Sequence, residues 1–374
     1  MDNEKVRILM VVGNTRMGGT QAFILNVLRN IDRARFQIDL AINFYAECDG
    51  IEDQCLALGC NIHIIPYFKV YNYWSFCRAW RHLLSEHHYD IVYAHSTNSA
   101  SVFLKIAKEF GAKTIAHSHS TGYRGGIVQR LAKKLFAKGV TDVADYWFAC
   151  SDKAAERLYG ESYKTYKHYY NIPNAIDSEK YRYDESIRSR IRKQIGVGDK
   201  EFLCGHIGTF SPPKNHKFLL EVFAELIKRN PDAKLVCCGT GALVPDVKEQ
   251  AAQLGVLDRI IFTGVVSNVN EYLMAMDCFV FPSVFEGFGI VILEAEAAGL
   301  PVVMSDIVPS DLDLTSLTHR MSLMDSPASW ADKIMSITVS DRESYNAAIS
   351  DTRYNIRESV KKFEEMYITL VNGR

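Results

Sequence analysis

Two glutamates in a glycine-rich segment are the residues of this sequence best placed to do chemistry. Glu286 and Glu294 are separated by seven residues, and the run 289–299 between glycines is typical of a short helix. The free amides and positive dipole end at the start of such a helix favour a phosphate. Carboxylates beside that anion would repel it, so we expect them to accept hydrogen bonds from sugar hydroxyls. A solvated helix face carrying Glu294 and Glu296 is the alternative.

A second glycine-rich segment, 13–20, follows the first apolar run. It has the spacing of a phosphate-binding Gly-x4-Gly-Lys-Ser/Thr loop, but Gly19 occupies the position of the lysine. The dinucleotide fingerprint Gly-x-Gly-x-x-Gly does not fit either. The segment predicts a strand-to-helix loop whose free amides a ligand can approach closely, or alternatively a simple turn.

These segments need a scaffold, and the chain supplies short apolar runs that alternate with helical patterns. Runs without polar alternation, separated by helices, are typical of parallel strands covered on both faces. We therefore predict an α/β fold of two doubly wound, Rossmann-like domains whose ligand-binding edges face each other across a cleft. The runs lie at 6–13, 36–43, 61–67, 90–95, 113–119 and 146–151, then at 202–210, 234–239, 259–264, 278–283 and 301–306.

The domain boundary is predicted from a charged stretch at 178–200, which gives domains at 1–177 and 178–353. The segment 356–371 has an apolar stripe at helical spacing, and we expect a helix that buries this stripe. The stripe consists of Val360, Phe363, Met366 and Tyr367.

Composition excludes several classes of protein. The 374 residues are 48% hydrophobic and 23% charged, with a net charge of −1, which argues against a nucleic-acid binder. No apolar run is long enough to span a membrane, and the first residues do not resemble a secretory signal. Most of the nine cysteines lie in apolar runs, so we expect reduced thiols, a cytoplasmic protein and no structural zinc.

The segment from Glu286 to Glu294, Glu-Gly-Phe-Gly-Ile-Val-Ile-Leu-Glu, resembles the Glu-x7-Glu motif of the retaining, GT-B-fold glycosyltransferase family four. Within the family, the chain is most similar to bacterial enzymes of capsular and exopolysaccharide assembly. The resemblance implies retaining transfer of a sugar from a nucleoside-diphosphate donor, with UDP expected, to a growing, lipid-linked polysaccharide. It extends over nearly the whole chain, through the segments 117–119, 172–177, 207–216, 237–241, 262–264 and 277–283.

The resemblance also implies roles for single residues. Glu294 would bind the ribose hydroxyls, Glu286 would orient the donor sugar and Lys214 would bind phosphate. His119 would lie near the donor sugar, with His117 as the competing histidine. The helix 354–374 would return to the first, acceptor-binding domain. The other donor-binding positions would be Gly18, Gly19, Thr209, Phe288, Gly289, Ile290 and Val291.

Thr209 departs from the family pattern, which has an arginine at this strand end. A guanidinium clamps phosphate in a bidentate manner that lysine cannot reproduce. Another cation therefore substitutes, or donor binding is weaker, or Thr209 reduces activity. A milder departure is Ala175, where the family commonly has glycine.

No metal or other cofactor is expected. A lysine and a helix N-terminus can neutralise the charge on a leaving diphosphate without a cation. The acidic pair of Asp311 and Asp313 lies late in the chain and is interpreted as a solvated turn.

The segment 124–138 predicts a basic amphipathic helix, in a region without acids between Glu109 and Asp142. Such a helix can rest on anionic lipid, which makes peripheral membrane contact one interpretation. Packing of its apolar face on the first sheet is the other. The cations of this region are Lys113, Arg124, Arg130, Lys133, Lys134 and Lys138.

Two other functions fit the same architecture. A nucleotide-sugar epimerase would need no second substrate. A non-catalytic protein that binds sugar nucleotides would explain Thr209.

Overall fold

The structure is a computed structural model that describes residues 5–16, 18–44, 50–97, 99–119, 139–286, 288–338 and 341–373. The chain forms two compact units. The first unit comprises Met1–Ala175 and Ile356–Arg374, and the second comprises Ile176–Asn355. The chain passes from the first unit to the second after Ala175, two residues before the predicted boundary at 177. It returns to the first unit after Asn355, two residues after the predicted boundary at 353.

The first unit contains a seven-stranded parallel sheet in the order β3-β2-β1-β4-β5-β6-β7. The six runs predicted for this half are strands. The seventh strand was not predicted, because it is short, polar and half-exposed at the sheet edge. The strands are β1 (Val6–Val11), β2 (Phe36–Ile42), β3 (Ile62–Ile64), β4 (Ile91–Ala94), β5 (Lys113–Ser118), β6 (Tyr146–Ala149) and β7 (Tyr169–Asn171).

The second unit contains a six-stranded parallel sheet in the order β10-β9-β8-β11-β12-β13. Here too the edge strand β13 was missed, since its residues are half-buried and mostly polar. Both units therefore confirm the predicted Rossmann-like α/β fold. The strands are β8 (Leu203–Ile207), β9 (Lys234–Cys238), β10 (Ile260–Gly264), β11 (Cys278–Phe281), β12 (Val302–Ser305) and β13 (Thr318–Met321).

Helices cover both faces of each sheet. In the first unit they are α1 (Gly19–Asn30), α2 (Glu52–Ala57), α3 (Tyr73–Glu86), α4 (Ala100–Glu109), α5 (Val140–Val143) and α6 (Asp152–Tyr159). In the second they are α7 (Glu185–Gln194), α8 (His216–Arg229), α9 (Val244–Gln253), α10 (Val269–Ala275), α11 (Ile290–Ala297), α12 (Pro327–Ser336) and α13 (Ser344–Ser350). The helix α14 (Ile356–Asn372) then returns to the first unit.

The stripe predicted on α14 is buried in the core of the first unit. The ring of Phe363 lies 5.8 Å from that of Phe23, and the ring of Tyr367 lies 6.1 Å from that of Phe36. Burying a large apolar side chain contributes about 1.5–3 kcal/mol, so these residues hold the helix to the sheet. Met366 is only partly buried.

The charged stretch 178–200 is part of the second unit. It contains α7, whose Arg192 is buried and binds Asp277 at 3.2 Å. Arg188 binds the other carboxylate oxygen of Asp277 at 2.6 Å. Two of the charges in this stretch therefore belong to a largely buried ion-pair network, which composition alone cannot distinguish from solvated charge.

The expectation that cysteines lie in the core is confirmed for the described residues. Eight cysteines are buried free thiols there, and Cys237 and Cys238 face opposite cores of the second unit. In the same residues, no helix has the length and hydrophobicity that crossing a membrane would need.

Candidate functional site

The glycine-rich segment of the first unit forms the loop from β1 to α1. Gly18 is the extended residue that precedes α1, and Gly19 is its first residue. Gln21 donates a hydrogen bond to the carbonyl oxygen of Asn14 at 2.9 Å, which closes the loop on itself. A Cβ on Gly19 would lie 3.9 Å from the amide nitrogen of Asn174, so the start of α1 adjoins this buried amide.

Three histidines lie together at the carboxyl ends of β4 and β5. Nδ1 of His95 lies 2.8 Å from Nε2 of His119. Nδ1 of His117 lies 2.8 Å from the hydroxyl of Tyr93. The ring of Phe23, from α1, packs against all three histidines at 5.3–5.6 Å. The structure thus adds His95 to the predicted pair, and its position at the end of the apolar run 90–95 was the signal that sequence reasoning overlooked.

These histidines are neutral near pH 7. Burial lowers the pKa of His119 to about 3, although a hydrogen bond with Asn174 opposes this shift. Burial likewise holds the pKa values of His95 and His117 well below the usual range. His119 therefore offers an uncharged hydrogen-bonding group, suited to a sugar hydroxyl rather than to a phosphate.

The same cluster has the donor set of a transition-metal site, because one nitrogen from each ring lies within 4.8 Å of the others. The His95–His119 hydrogen bond uses one nitrogen of each of those rings, and Tyr93 uses one of His117, so the second nitrogen of each ring is not engaged in these bonds. We interpret the cluster as a hydrogen-bonded network that orients His119.

In the second unit, Lys214 and Glu286 form an ion pair in which Nζ lies 2.5 Å from Oε2. The ammonium also lies 4.4 Å from the centre of the Phe281 ring, a cation–π contact that fixes its direction. A Cβ on Gly208 would lie 3.3 Å from Cε of Lys214, so the lysine stem lies along this glycine. A Cβ on Gly289 would lie 3.3 Å from Cγ of Glu286, which puts the pair at the start of α11.

Glycines position the loop that carries Lys214. Gly239 has a φ of +138°, and a Cβ there would lie 2.1 Å from the carbonyl oxygen of Gly208. A Cβ on Gly241 would lie 2.4 Å from the carbonyl oxygen of Phe210. The chain segments after β8 and β9 therefore meet backbone to backbone, which only glycine permits.

Thr209 is exposed in this loop, between Gly208 and the buried Phe210. Two histidines, His206 and His216, lie close to the Lys214 loop. Burial lowers their pKa values to about 3 and about 4, and the charge of Lys214 lowers the pKa of His216 further. Both are neutral near pH 7, so neither replaces the charge of the arginine that the family has here.

Glu294 lies on α11, and its Oε1 accepts a hydrogen bond from the hydroxyl of Tyr181 at 2.7 Å. Burial raises the pKa of Glu294 to about 7, while Tyr181 and Lys180 oppose the rise. Gly289 precedes α11 in the left-handed conformation. The neighbouring side chains of Phe288 and Val291 are buried, which leaves their backbone amides as the groups able to contact a ligand.

The alternative of a solvated face is wrong for Glu296. This side chain is fully buried and accepts hydrogen bonds from the backbone and hydroxyl of Thr315 at 2.9 and 2.7 Å. Burial raises its pKa to about 7. Asp311 and Asp313 are exposed in a turn, as expected, and Asp313 binds Arg320 at 2.7 Å.

The basic helix predicted at 124–138 lies outside the described residues.

The sequence-based expectation that Glu294 binds the ribose hydroxyls of UDP predicts that Tyr181→Phe weakens UDP binding at least about tenfold near pH 7, because a hydrogen bond to a charged group contributes about 1.5–3 kcal/mol. Without the hydroxyl, the pKa of Glu294 rises, so the loss should shrink at pH 8.5, where the carboxyl ionises anyway. Calorimetric titration with UDP at pH 7 and pH 8.5 measures both effects. Tyr183→Phe is the matched control, since the Tyr183 hydroxyl binds Glu185 instead. Equal affinities of Tyr181→Phe and wild type at pH 7 would contradict the role of this hydrogen bond.

Comparison with known proteins defines the class. Residues 17–180 match the family model "Glycosyltransferase Family 4", and residues 187–354 match "Glycosyl transferases group 1". The two matches together cover most of the chain. The protein therefore belongs to the group 1/family 4 glycosyltransferases of the GT-B type.

Individual relatives agree with this class. The chain is 27% identical to EpsF of Bacillus subtilis (strain 168), over 98% of this chain and 97% of that protein. EpsF is named as a glycosyltransferase. It is 26% identical to an Escherichia coli UDP-Gal:alpha-D-GlcNAc-diphosphoundecaprenol alpha-1,3-galactosyltransferase, over 77% and 78% of the two chains. The structure of Anabaena Alr3699/HepE in complex with UDP-glucose superposes with a TM-score of 0.80 at 18% identity, covering 97% and 99% of the two chains, which shows the shared fold. The relatives' names support a transferase and give no support to an epimerase.

Proposed function

We propose that this protein transfers a sugar, with retention of the anomeric configuration, from a UDP-sugar to a lipid-linked glycan during exopolysaccharide or capsule assembly. The observation that carries the proposal is the cluster at the start of α11, where Lys214 and Glu286 lie beside Gly289. A cation, a carboxylate and a helix N-terminus in one place suit a sugar diphosphate. The UDP-Gal donor and diphosphoundecaprenol acceptor named for the Escherichia coli relative support the donor and acceptor classes.

The donor would change the partners of Lys214. In the ligand-free protein this ammonium binds Glu286. An incoming diphosphate competes for the lysine and frees the Glu286 carboxylate to accept hydrogen bonds from the donor sugar. Glu294 binds the ribose hydroxyls, and the backbone amides of 288–291 bind the diphosphate. For the first unit, the proposal gives Gly18, Gly19 and neutral His119 the substrate contacts that the family resemblance implies.

In the transfer step, the bond between the anomeric carbon and the UDP oxygen breaks, and UDP leaves with the electron pair. The acceptor hydroxyl adds to the same face of the sugar, and its proton passes to the departing phosphate. Lys214 and the start of α11 stabilise the developing negative charge, which is the main requirement of this reaction. Neither a metal nor another cofactor is required in this scheme.

The protein would act at the cytoplasmic face of a membrane, because a lipid-linked acceptor is anchored there. The basic segment 124–138 would support reversible contact with anionic lipid.

The test is a transfer assay with UDP-, GDP- and ADP-sugars and a sugar-diphosphoundecaprenol acceptor, with EDTA present or absent. We expect product from a UDP-sugar only when acceptor is added, an α-linkage from an α-donor by NMR, and full activity in EDTA. A β-linkage would refute retention, and activity lost in EDTA but restored by Mg²⁺ would refute the metal-free scheme. Epimerised donor without acceptor would refute transfer itself.

A further inference from the structure

An unusual density of exposed large side chains follows β3 in the first unit. We call residues 64–74 the aromatic segment. Tyr71 is 82% exposed and Trp74 is 79% exposed, values far above those normal for such rings. Several neighbours are also exposed, and clustered exposure of this kind marks an interaction surface rather than scattered surface residues. The exposed members are Ile64, Tyr67, Val70, Tyr71, Tyr73 and Trp74.

The exposed rings are held on an ordered backbone. The Asn72 side chain accepts a hydrogen bond from the Lys69 amide at 2.7 Å and donates one to the Tyr67 carbonyl at 2.9 Å. On the inner side, the ring of Phe68 packs 5.0 Å from that of the buried Phe76. The segment therefore has buried anchors, whereas Tyr71 and Trp74 contact the exposed side chains of Lys69 and Tyr73.

The aromatic segment lies at the ligand-binding edge of the sheet. It follows the carboxyl end of β3, and parallel strands share that edge with the β1–α1 loop. Asn43 connects the two regions, because its side chain donates to the carbonyl of Ile65 at 3.1 Å and lies 3.9 Å from a Cβ built on Gly13. A surface bound to the aromatic segment would therefore present its molecules near the loop that carries Gly18 and Gly19.

The aspartate, glutamate, lysine and arginine residues of the chain from 54 to 85 are all basic. Residues 54–85 contain no aspartate or glutamate, although they contain three basic residues. Lys69 and Arg78 are exposed, and Nζ of Lys69 lies 5.6 Å from the centre of the Tyr71 ring. Arg81 is paired with Glu109 at 3.0 Å. Exposed rings beside the exposed cations Lys69 and Arg78 complement an anionic surface.

We propose that the aromatic segment docks the protein on the headgroup layer of an anionic lipid bilayer. Tryptophan and tyrosine favour this layer because one end of each ring system is apolar and the other is polar. Lysine and arginine stems can lie along the rings while their charges reach lipid phosphates. A glycan would instead need rings lining a groove, whereas Tyr71 and Trp74 are almost fully surrounded by solvent. The biological purpose, delivery to a lipid-linked acceptor, rests on the proposed function, but the binding itself does not.

Tryptophan fluorescence tests this directly. The chain has four tryptophans, and Trp80, Trp147 and Trp330 are buried, so acrylamide quenching reports mainly on Trp74. We expect vesicles of phosphatidylglycerol and phosphatidylethanolamine to protect Trp74 from acrylamide and to shift its emission to the blue. Pure phosphatidylcholine and high salt should weaken the effect. Unchanged quenching with anionic vesicles would overturn the proposal, and protection by soluble oligosaccharide alone would overturn it in favour of a glycan site.

Vesicle co-sedimentation supplies the second measurement. We expect Y71A/W74A to lower the vesicle-bound fraction at least tenfold, and K69Q/R78Q to lower it on anionic vesicles only. Met324→Ala is the matched control, because Met324 is 93% exposed in the second unit. Binding of Y71A/W74A equal to wild type would overturn the proposal, even if the segment 124–138 holds the protein on the membrane. UDP affinity of the variants, measured in parallel, distinguishes this failure from failure of the proposed function or of folding.

Discussion

Replacing Lys214 with methionine is expected to lower kcat about 10²- to 10³-fold, the cost typical of removing one group that stabilises developing charge. The methionine keeps the length of the side chain but removes the cation that lies between Glu286 and the Phe281 ring. The leaving diphosphate then faces the Glu286 carboxylate with no compensating charge. Steady-state kinetics with saturating UDP-sugar and acceptor measure this effect.

Two companion variants separate charge from packing. Lys217→Met, an exposed lysine on α8, should leave kcat unchanged. Lys214→Arg keeps the charge and should recover part of the activity. If Lys214→Met raises KM but leaves kcat intact, Lys214 binds substrate and transition state equally and its assigned role is wrong.

Glu294→Ala is expected to weaken UDP binding by about 1.5–3 kcal/mol, or about 10- to 150-fold, because the ribose hydroxyls lose a charged acceptor. The binding should also depend on pH. The pKa of Glu294 is about 7 in the free protein, so the carboxyl is mostly protonated at pH 6 and mostly ionised at pH 8. Wild-type affinity should therefore rise over this interval, with proton release on binding near pH 7.

Calorimetry at pH 6 and pH 8 in two buffers of different ionisation enthalpy measures both the affinity and the released proton. Glu294→Gln should retain the phosphate titration of UDP itself but lose the component due to Glu294. Glu249→Gln, an exposed acid on α9, serves as the neutral control. A pH dependence identical in wild type and Glu294→Gln would exclude Glu294 from the ribose site.

The strands predicted from sequence are those whose residues form a short apolar run, including the partly exposed edge strands β3 and β10. The edge strands β7 and β13 carry mixed residues because one side meets solvent, and they gave no such signal. A strand can therefore be recognised in the sequence only where its residues are mostly apolar.

The candidate site was likewise only partly predictable from the sequence. Glycines and charged residues at strand ends were visible, because the backbone imposes their spacing. The partners Tyr181 of Glu294 and His95 of His119 were not, since these contacts join residues that are 113 and 24 positions apart. The charge states of His119 and Glu294 could not be predicted from the sequence either. The lowered pKa of His119 and the raised pKa of Glu294 both result from burial in the folded protein.

The return of α14 to the first unit has a consequence for synthesis on the ribosome. The second unit, Ile176–Asn355, is translated completely before α14 is made, so it is free to fold as an uninterrupted segment. Until then, the faces of Phe23 and Phe36 that α14 covers are open to solvent or to chaperones. The half of the molecule that is translated first is thus completed last, and a nascent chain halted near residue 355 would pair a finished second unit with a first unit still lacking part of its core.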